Sequence, residues 1–141
     1  MAASANRALA DEIHRLIVSI ATRTKLHEDA CMDRLSLSRM EAKALYRLEP
    51  GEAVSVRTLA ERGLVDPSNL TGAIDALEER GLIQRELAKH DRRVRSLRLT
   101  PEGGKLRARL VDELLAGHPG VAGLSRGERT KLRDLLRRAL A

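Results

Sequence analysis

Apolar residues recur at helical spacing along most of this 141-residue chain and change to simple alternation only once, between residues 82 and 99. In the first thirty residues Leu9, Ile13, Leu16, Ile17 and Ile20 form an apolar stripe on one side of a helix. No Pro or Gly occurs before Pro50, so one helix over residues 2–31 is expected. At 1.5 Å per residue such a helix spans about 45 Å. That is longer than a small domain covers, and it points to a second subunit.

Shorter helical patterns follow, each with its own start signal. Ser38-Arg39-Met40-Glu41 is a capping box, with Ala44, Leu45 and Leu48 inward, and Pro50-Gly51 stops that helix. Ser55 suits the cap of a helix with Leu59 and Ala60 inward, and Gly63 suits its left-handed stop. Asp66-Pro67 is a cap followed by Pro at the first helical position, where its missing N–H costs nothing. Leu70, Ile74 and Leu77 form the stripe of that helix, and Gly81 ends it. The period then becomes two. Residues 82–87 read as a strand, 88–93 as a charged tip, and 95–99 as the returning strand. Thr100-Pro101 opens a helix carrying Leu106, Leu110 and Leu114, broken at Gly117-His118-Pro119-Gly120. Ser125-Arg126-Gly127-Glu128 is a second capping box, ahead of a final stripe of Leu132, Leu135, Leu136 and Leu140.

This order predicts a mainly α fold with a small antiparallel β wing: a winged helix-turn-helix over residues 36–100, and a helical dimerisation region from residues 2–34 and 101–141. The expected subunit contacts are Leu9, Ile13, Leu16, Ile17, Ile20, Leu110, Leu114, Leu132, Leu135, Leu136 and Leu140. Composition sharpens this. With 24 Leu, 19 Ala, one Tyr and no Phe or Trp, core and interface must be aliphatic. The length suits one domain. No apolar run approaches the roughly 18 residues that cross a bilayer, and residues 1–10 do not resemble a secretory leader. The lone Cys31 excludes an internal disulfide framework. A cytoplasmic protein without membrane contact is expected.

Charge adds a function class. The net charge is +6, and Arg outnumbers Lys 21 to 5. Residues 81–100 carry a net +4 and residues 126–141 another +4. A basic hairpin after a helix-turn-helix points to double-stranded DNA. The second helix of such a motif lies in the major groove with its first turns at base edges, here Pro67, Ser68, Asn69 and Thr71. Arginines at a wing tip suit the minor groove. The candidates are Arg92 and Arg93, with Arg95 behind them and Asp91 expected to hold an arginine side chain in one rotamer. An enzyme is not indicated: there is no Gly-rich phosphate loop, HExxH or GxSxG motif. No cofactor or metal is expected. His27 and Cys31 share a helix face, but with His118 far along the chain they fall short of a tetrahedral set.

The strings SLSRMEAKALYRL, SVRTLAERGLVDPSNLTGAIDALEERGLIQRE, DRRVRSLRLTPEG and GLSRGERTKLRDLL, covering Leu37 to Leu140, resemble the MarR family of bacterial transcription regulators. The resemblance implies an obligate homodimer on a pseudo-palindromic operator, most often a repressor. It also implies a small phenolic or lipophilic effector bound where the dimer region meets the winged region. By the same likeness the family's wing Asp and Arg fall on Asp91 and Arg93. The first helix of the turn falls on residues 55–62, with Ser55 at its start and Arg57 placed for a phosphate. The family often has an Arg where this chain has Gly72, so readout is expected to lean on Asn69, Thr71 and DNA shape. Redox sensing in the family uses a Cys early in the first helix, whereas Cys31 lies near its end. The competing reading of the same sequence is a winged-helix module, architectural or protein-binding, without strong sequence preference.

Overall fold

The computed structural model describes residues 1–87 and 89–141. Its elements are α1 (Ala2–Arg34), α2 (Arg39–Arg47), β1 (Val54–Ser55), α3 (Val56–Gly63), α4 (Pro67–Glu79), β2 (Ile83–Leu87), β3 (Arg95–Leu99), α5 (Pro101–Leu115) and α6 (Arg126–Leu140). The three strands form one antiparallel sheet in the order β1-β3-β2, with Val54 opposite Leu97 and Ile83 opposite Leu99. The expected two-stranded hairpin is therefore three-stranded. Two residues are too few for β1 to register as alternation.

The chain divides into two compact units, one of residues 29–113 and one of residues 1–28 with 114–141. In the first, Leu45, Leu48, Leu59, Leu70, Ile74, Leu77, Ile83, Leu97 and Leu110 are fully buried, an aliphatic core drawn from α2, α3, α4, the sheet and α5. Leu110, expected at a subunit interface, belongs here instead. It is wholly enclosed by its own chain, so it has no surface left for a partner. Gly103 shows how closely α5 meets the sheet. A Cβ at that position would stand 2.8 Å from the Leu82 carbonyl carbon and nearer still to its oxygen.

The helix signals translate into caps. Ser38 and Ser125 form the expected capping boxes with Glu41 and Glu128. Ser55 accepts the Thr58 amide, Asp66 accepts the Ser68 amide, and the Thr100 hydroxyl accepts the Gly103 amide. One stop differs. The left-handed residue after α3 is Leu64 (φ 52°), not Gly63, which remains helical. Leu64 is 93% exposed, in a conformation that costs a side-chain-bearing residue about 1–2 kcal/mol.

The second unit has the opposite character. None of its described residues is buried. Leu9, Ile13, Leu16, Ile17 and Ile20 on α1, and Leu135, Leu136 and Leu140 on α6, all lie exposed. Leu114 and Leu132 are half-buried.

Candidate nucleic-acid interface

The turn between α3 and α4 sets the first part of the site. Asp66 closes the start of α4 by accepting both the Ser68 amide (2.9 Å) and the Ser68 hydroxyl (2.7 Å). Those two bonds hold its carboxyl below the ordinary aspartate range. The Ser68 hydroxyl thus spends its proton locally, leaving its oxygen to accept. Pro67, Asn69, Thr71 and Gly72 are exposed. Thr71 donates its hydroxyl back to the Pro67 carbonyl at 3.4 Å, and Asn69 has no side-chain partner among the described residues. Gly72 has open space where a Cβ would stand, so the missing long side chain is not imposed by packing. The opposite face of α4, Leu70, Ala73, Ile74 and Leu77, is anchored in the core.

The α3 candidates divide. The Ser55 hydroxyl accepts the Thr58 amide at 3.1 Å and lies 3.0 Å from the Thr58 hydroxyl, so Ser55 acts by fixing α3. Arg57 is exposed and meets Glu61 at 3.3 Å, a surface pair of little energetic weight.

The wing carries the second part. Of its tip, Ala88 lies outside the described residues. Asp91 does not hold an arginine side chain. Its carboxylate accepts the Arg93 backbone amide at 2.9 Å, and its carbonyl accepts the Val94 amide at 3.0 Å. The aspartate therefore shapes the backbone of the tip. Among the described residues the side chains of Arg92, Arg93 and Arg95 have no partner, and all three are exposed. At the wing's root the arginines are tied down. Arg85 reaches Asp75 and Glu78 of α4, and Arg98 reaches Glu86 and the Gly51 carbonyl. Periodicity located these basic residues but could not say which were already neutralised.

The same unit also holds an open groove of about 740 Å³ at the C-terminal ends of α2 and α3, beside Arg107 and Val111 of α5. Arg62 grips Glu52 through two nitrogens, at 2.6 and 2.8 Å, and Arg107 meets Glu49 at 2.8 Å. Nε of Arg107 is buried without a partner among the described residues. Tyr46 lines the groove, and its ring is partly exposed.

The remaining candidate chemistry is enclosed or incomplete. Cys31 is buried, with its thiol donating to the Glu113 carbonyl at 3.3 Å and the Arg34 guanidinium 3.4 Å away. A peroxide must reach a thiolate to react, and this sulfur is covered. The His27 and His118 rings meet edge to face at 6.1 Å, and His27 Nε2 lies 3.0 Å from the Leu114 carbonyl oxygen. Among the described residues no group of three or more His, Cys, Asp or Glu gathers as metal ligands would. Nor, among the described residues, is any helix long and apolar enough to cross a membrane.

Comparison with known proteins agrees with this geometry. Residues 37–94 match the model of the MarR family. The organic hydroperoxide resistance transcriptional regulator of Bacillus subtilis is 30% identical over 105 residues, covering 74% of this chain and 68% of that protein. A MarR-family regulator from Rhodococcus sp. RHA1 superposes with a TM-score of 0.76 at 28% identity, over 92% of each chain. CouR from Rhodococcus jostii RHA1, solved bound to p-coumaroyl-CoA, does so with a TM-score of 0.75 at 29% identity, again over 92% of each chain. The chain therefore belongs to the MarR family of winged helix-turn-helix transcriptional regulators.

Proposed function

We propose that two copies of the chain, joined through the apolar stripes of α1 and α6, grip a pseudo-palindromic operator as a cytoplasmic repressor. It acts by binding and not by catalysis. Each α4 enters a major groove with Pro67, Ser68, Asn69 and Thr71 at base edges, and each wing lays Arg92 and Arg93 along a minor groove, with Arg95 at its flank. Arg57 meets a phosphate. The observation that carries this reading is the contrast within the wing. The root arginines are neutralised by carboxylates, while among the described residues the tip arginines have no partners, as phosphate or minor-groove ligands would be.

The two α4 helices must lie roughly 34–36 Å apart to reach successive major grooves on one face of the duplex. A small phenolic or lipophilic effector would release DNA by binding better to a state whose separation does not fit. CouR, a relative bound to an aromatic acyl thioester, supports this effector class. The groove bordered by Tyr46 and Arg107 is one candidate seat.

A gel shift at fixed salt tests the assignment. Arg93→Ala is expected to weaken operator binding at least about tenfold, the scale of a lost minor-groove arginine. Unchanged affinity overturns the wing assignment. Competition with unrelated DNA tests specificity: a regulator prefers its operator by about 10³-fold or more, and near-equal competition would favour the architectural reading instead.

A further inference from the structure

Helix and wing are held in one frame by a side-chain clamp. Arg85 leaves β2 with its side chain 23% exposed and sends one nitrogen to each of two α4 carboxylates. Nη2 meets Asp75 Oδ1 at 2.5 Å, and Nη1 meets Glu78 Oε2. Asp75 and Glu78 stand one helical turn apart, so a planar, forked guanidinium can hold both in fixed geometry, which a flexible lysine ammonium would do less rigidly. The hydrogen bond to Asp75 and the nearby charges raise the arginine's pKa further against the opposing effect of burial. On the neighbouring strand, Arg98 donates Nε to Glu86 at 3.1 Å and Nη1 to the Gly51 carbonyl at 2.7 Å. The root is therefore fastened twice, while among the described residues nothing holds the side chains of Arg92 and Arg93 at the tip.

We propose that Arg85 is a positioning residue for DNA binding: it fixes the wing root against α4 so that both contact one duplex in a set register. The inference rests on the helix-and-wing reading above. Once α4 has docked, the wing's engagement is intramolecular, and its effective concentration depends on how stiffly the wing is held. A loosened root spreads the tip arginines over orientations that miss the groove.

The test is fluorescence anisotropy with the full-length homodimer. The probe is a labelled duplex of about 30 base pairs, enough for two half-sites a helical turn apart, selected from a random pool by the native protein. Asp75→Asn and Glu78→Gln each remove a negative charge beside a polyanion, so charge alone predicts tighter binding. The clamp predicts the opposite, a loss of about threefold to tenfold for each and at least about tenfold for Arg85→Met, with Arg85→Lys in between. Tighter or unchanged binding by the two carboxylate variants overturns the proposal. These near-isosteric changes, at an exposed and a half-buried carboxylate, keep the sign test valid should Arg85→Met fail to fold.

A double-mutant cycle supplies the readout that a merely structural role would not move. In the Arg92→Ala/Arg93→Ala background, Arg85→Met should cost less than about twofold more, because the wing it positions no longer binds. An equal loss in both backgrounds overturns the clamp alone. No loss from Arg92→Ala/Arg93→Ala overturns the wing reading, and the clamp with it.

Discussion

The two compact units of this chain solve the same problem in opposite ways. Residues 29–113 bury nine large aliphatic side chains almost completely and tie their surface with Arg85, Arg98 and Arg62. Residues 1–28 and 114–141 bury nothing fully among the described residues and display Ile and Leu along α1 and α6. Each Leu or Ile gains about 1.5–3 kcal/mol on full burial. The first unit collects that gain within one chain. The second leaves it uncollected in the single chain; on the proposed reading another copy supplies it, and its stability and the dimer's become one quantity. In the proposed complex, the unit assigned to DNA is the one with its own core, and the unit assigned to spacing two such parts is the one without.

The strongest way to break this contrast is to charge the stripe. Ile17→Glu places a carboxylate in each subunit where Ile17 is 58% exposed in the single chain. Desolvating it at an aliphatic interface costs several kcal/mol. Sedimentation should report monomers, and operator affinity should fall by at least about 100-fold, since one half-site binds without its twin. The circular dichroism of the winged unit should survive. Global unfolding would mean that the winged unit also depends on the partner.

A second variant strikes the self-sufficient unit. Gly103→Ala drives a Cβ into the Leu82 backbone, and backbone atoms cannot step aside as a side-chain tip can. A loss of about 3 kcal/mol is expected, read as a lower midpoint in urea. Because the strain arises within one chain, the loss should not depend on protein concentration, unlike that of Ile17→Glu.

The sequence made these two regions unequally legible. Caps read well because they are local: Ser38 with Glu41, Ser125 with Glu128, and Asp66 with Pro67 each declare a helix start within four residues. Stripes read well as stripes, but not for what covers them. Leu110 and Leu114 lie on the same helical stripe, yet Leu110 is enclosed by its own chain and Leu114 only half so. A single-chain pattern carries no label for which side of α5 meets the core. At the candidate site the basic residues were visible and their partners were not. The pairing of Arg85 with two residues of α4, seven and ten positions earlier, depends on how β2 lies against that helix. Asp91 bonds the Arg93 backbone amide and not an arginine side chain, because a short carboxylate finds a backbone amide two residues on as readily as a neighbouring side chain.

Leu64 offers a milder test within the winged unit. Its left-handed backbone and open exposure mean that Leu64→Gly removes strain and loses no buried contact. The expected gain is about 1 kcal/mol in urea unfolding, partly offset by the freedom glycine adds to the unfolded chain. Operator affinity should hold if the leucine touches nothing on DNA. A stabilised variant with weaker binding would mark Leu64 as a contact that justifies its strain.

The smallest effect concerns the cap at the start of α4. Hydrogen bonds from the Ser68 hydroxyl and amide depress the Asp66 pKa in the folded protein. A group whose folded pKa lies below its unfolded value stabilises above the unfolded value, about 4 for Asp, and loses that contribution as the pH falls through the folded one. Asp66→Asn keeps an excellent cap but removes the titration. Native protein should therefore be slightly more stable than Asp66→Asn near neutral pH, and the two should converge under acid, as followed by thermal melts across that range. Because Asp66 is exposed, the difference should be small and should shrink further in salt. On DNA the order should reverse, since the proposed docking brings this carboxylate close to the polyanion. A variant less stable yet tighter-binding would separate what the winged unit needs for folding from what it needs for its partner.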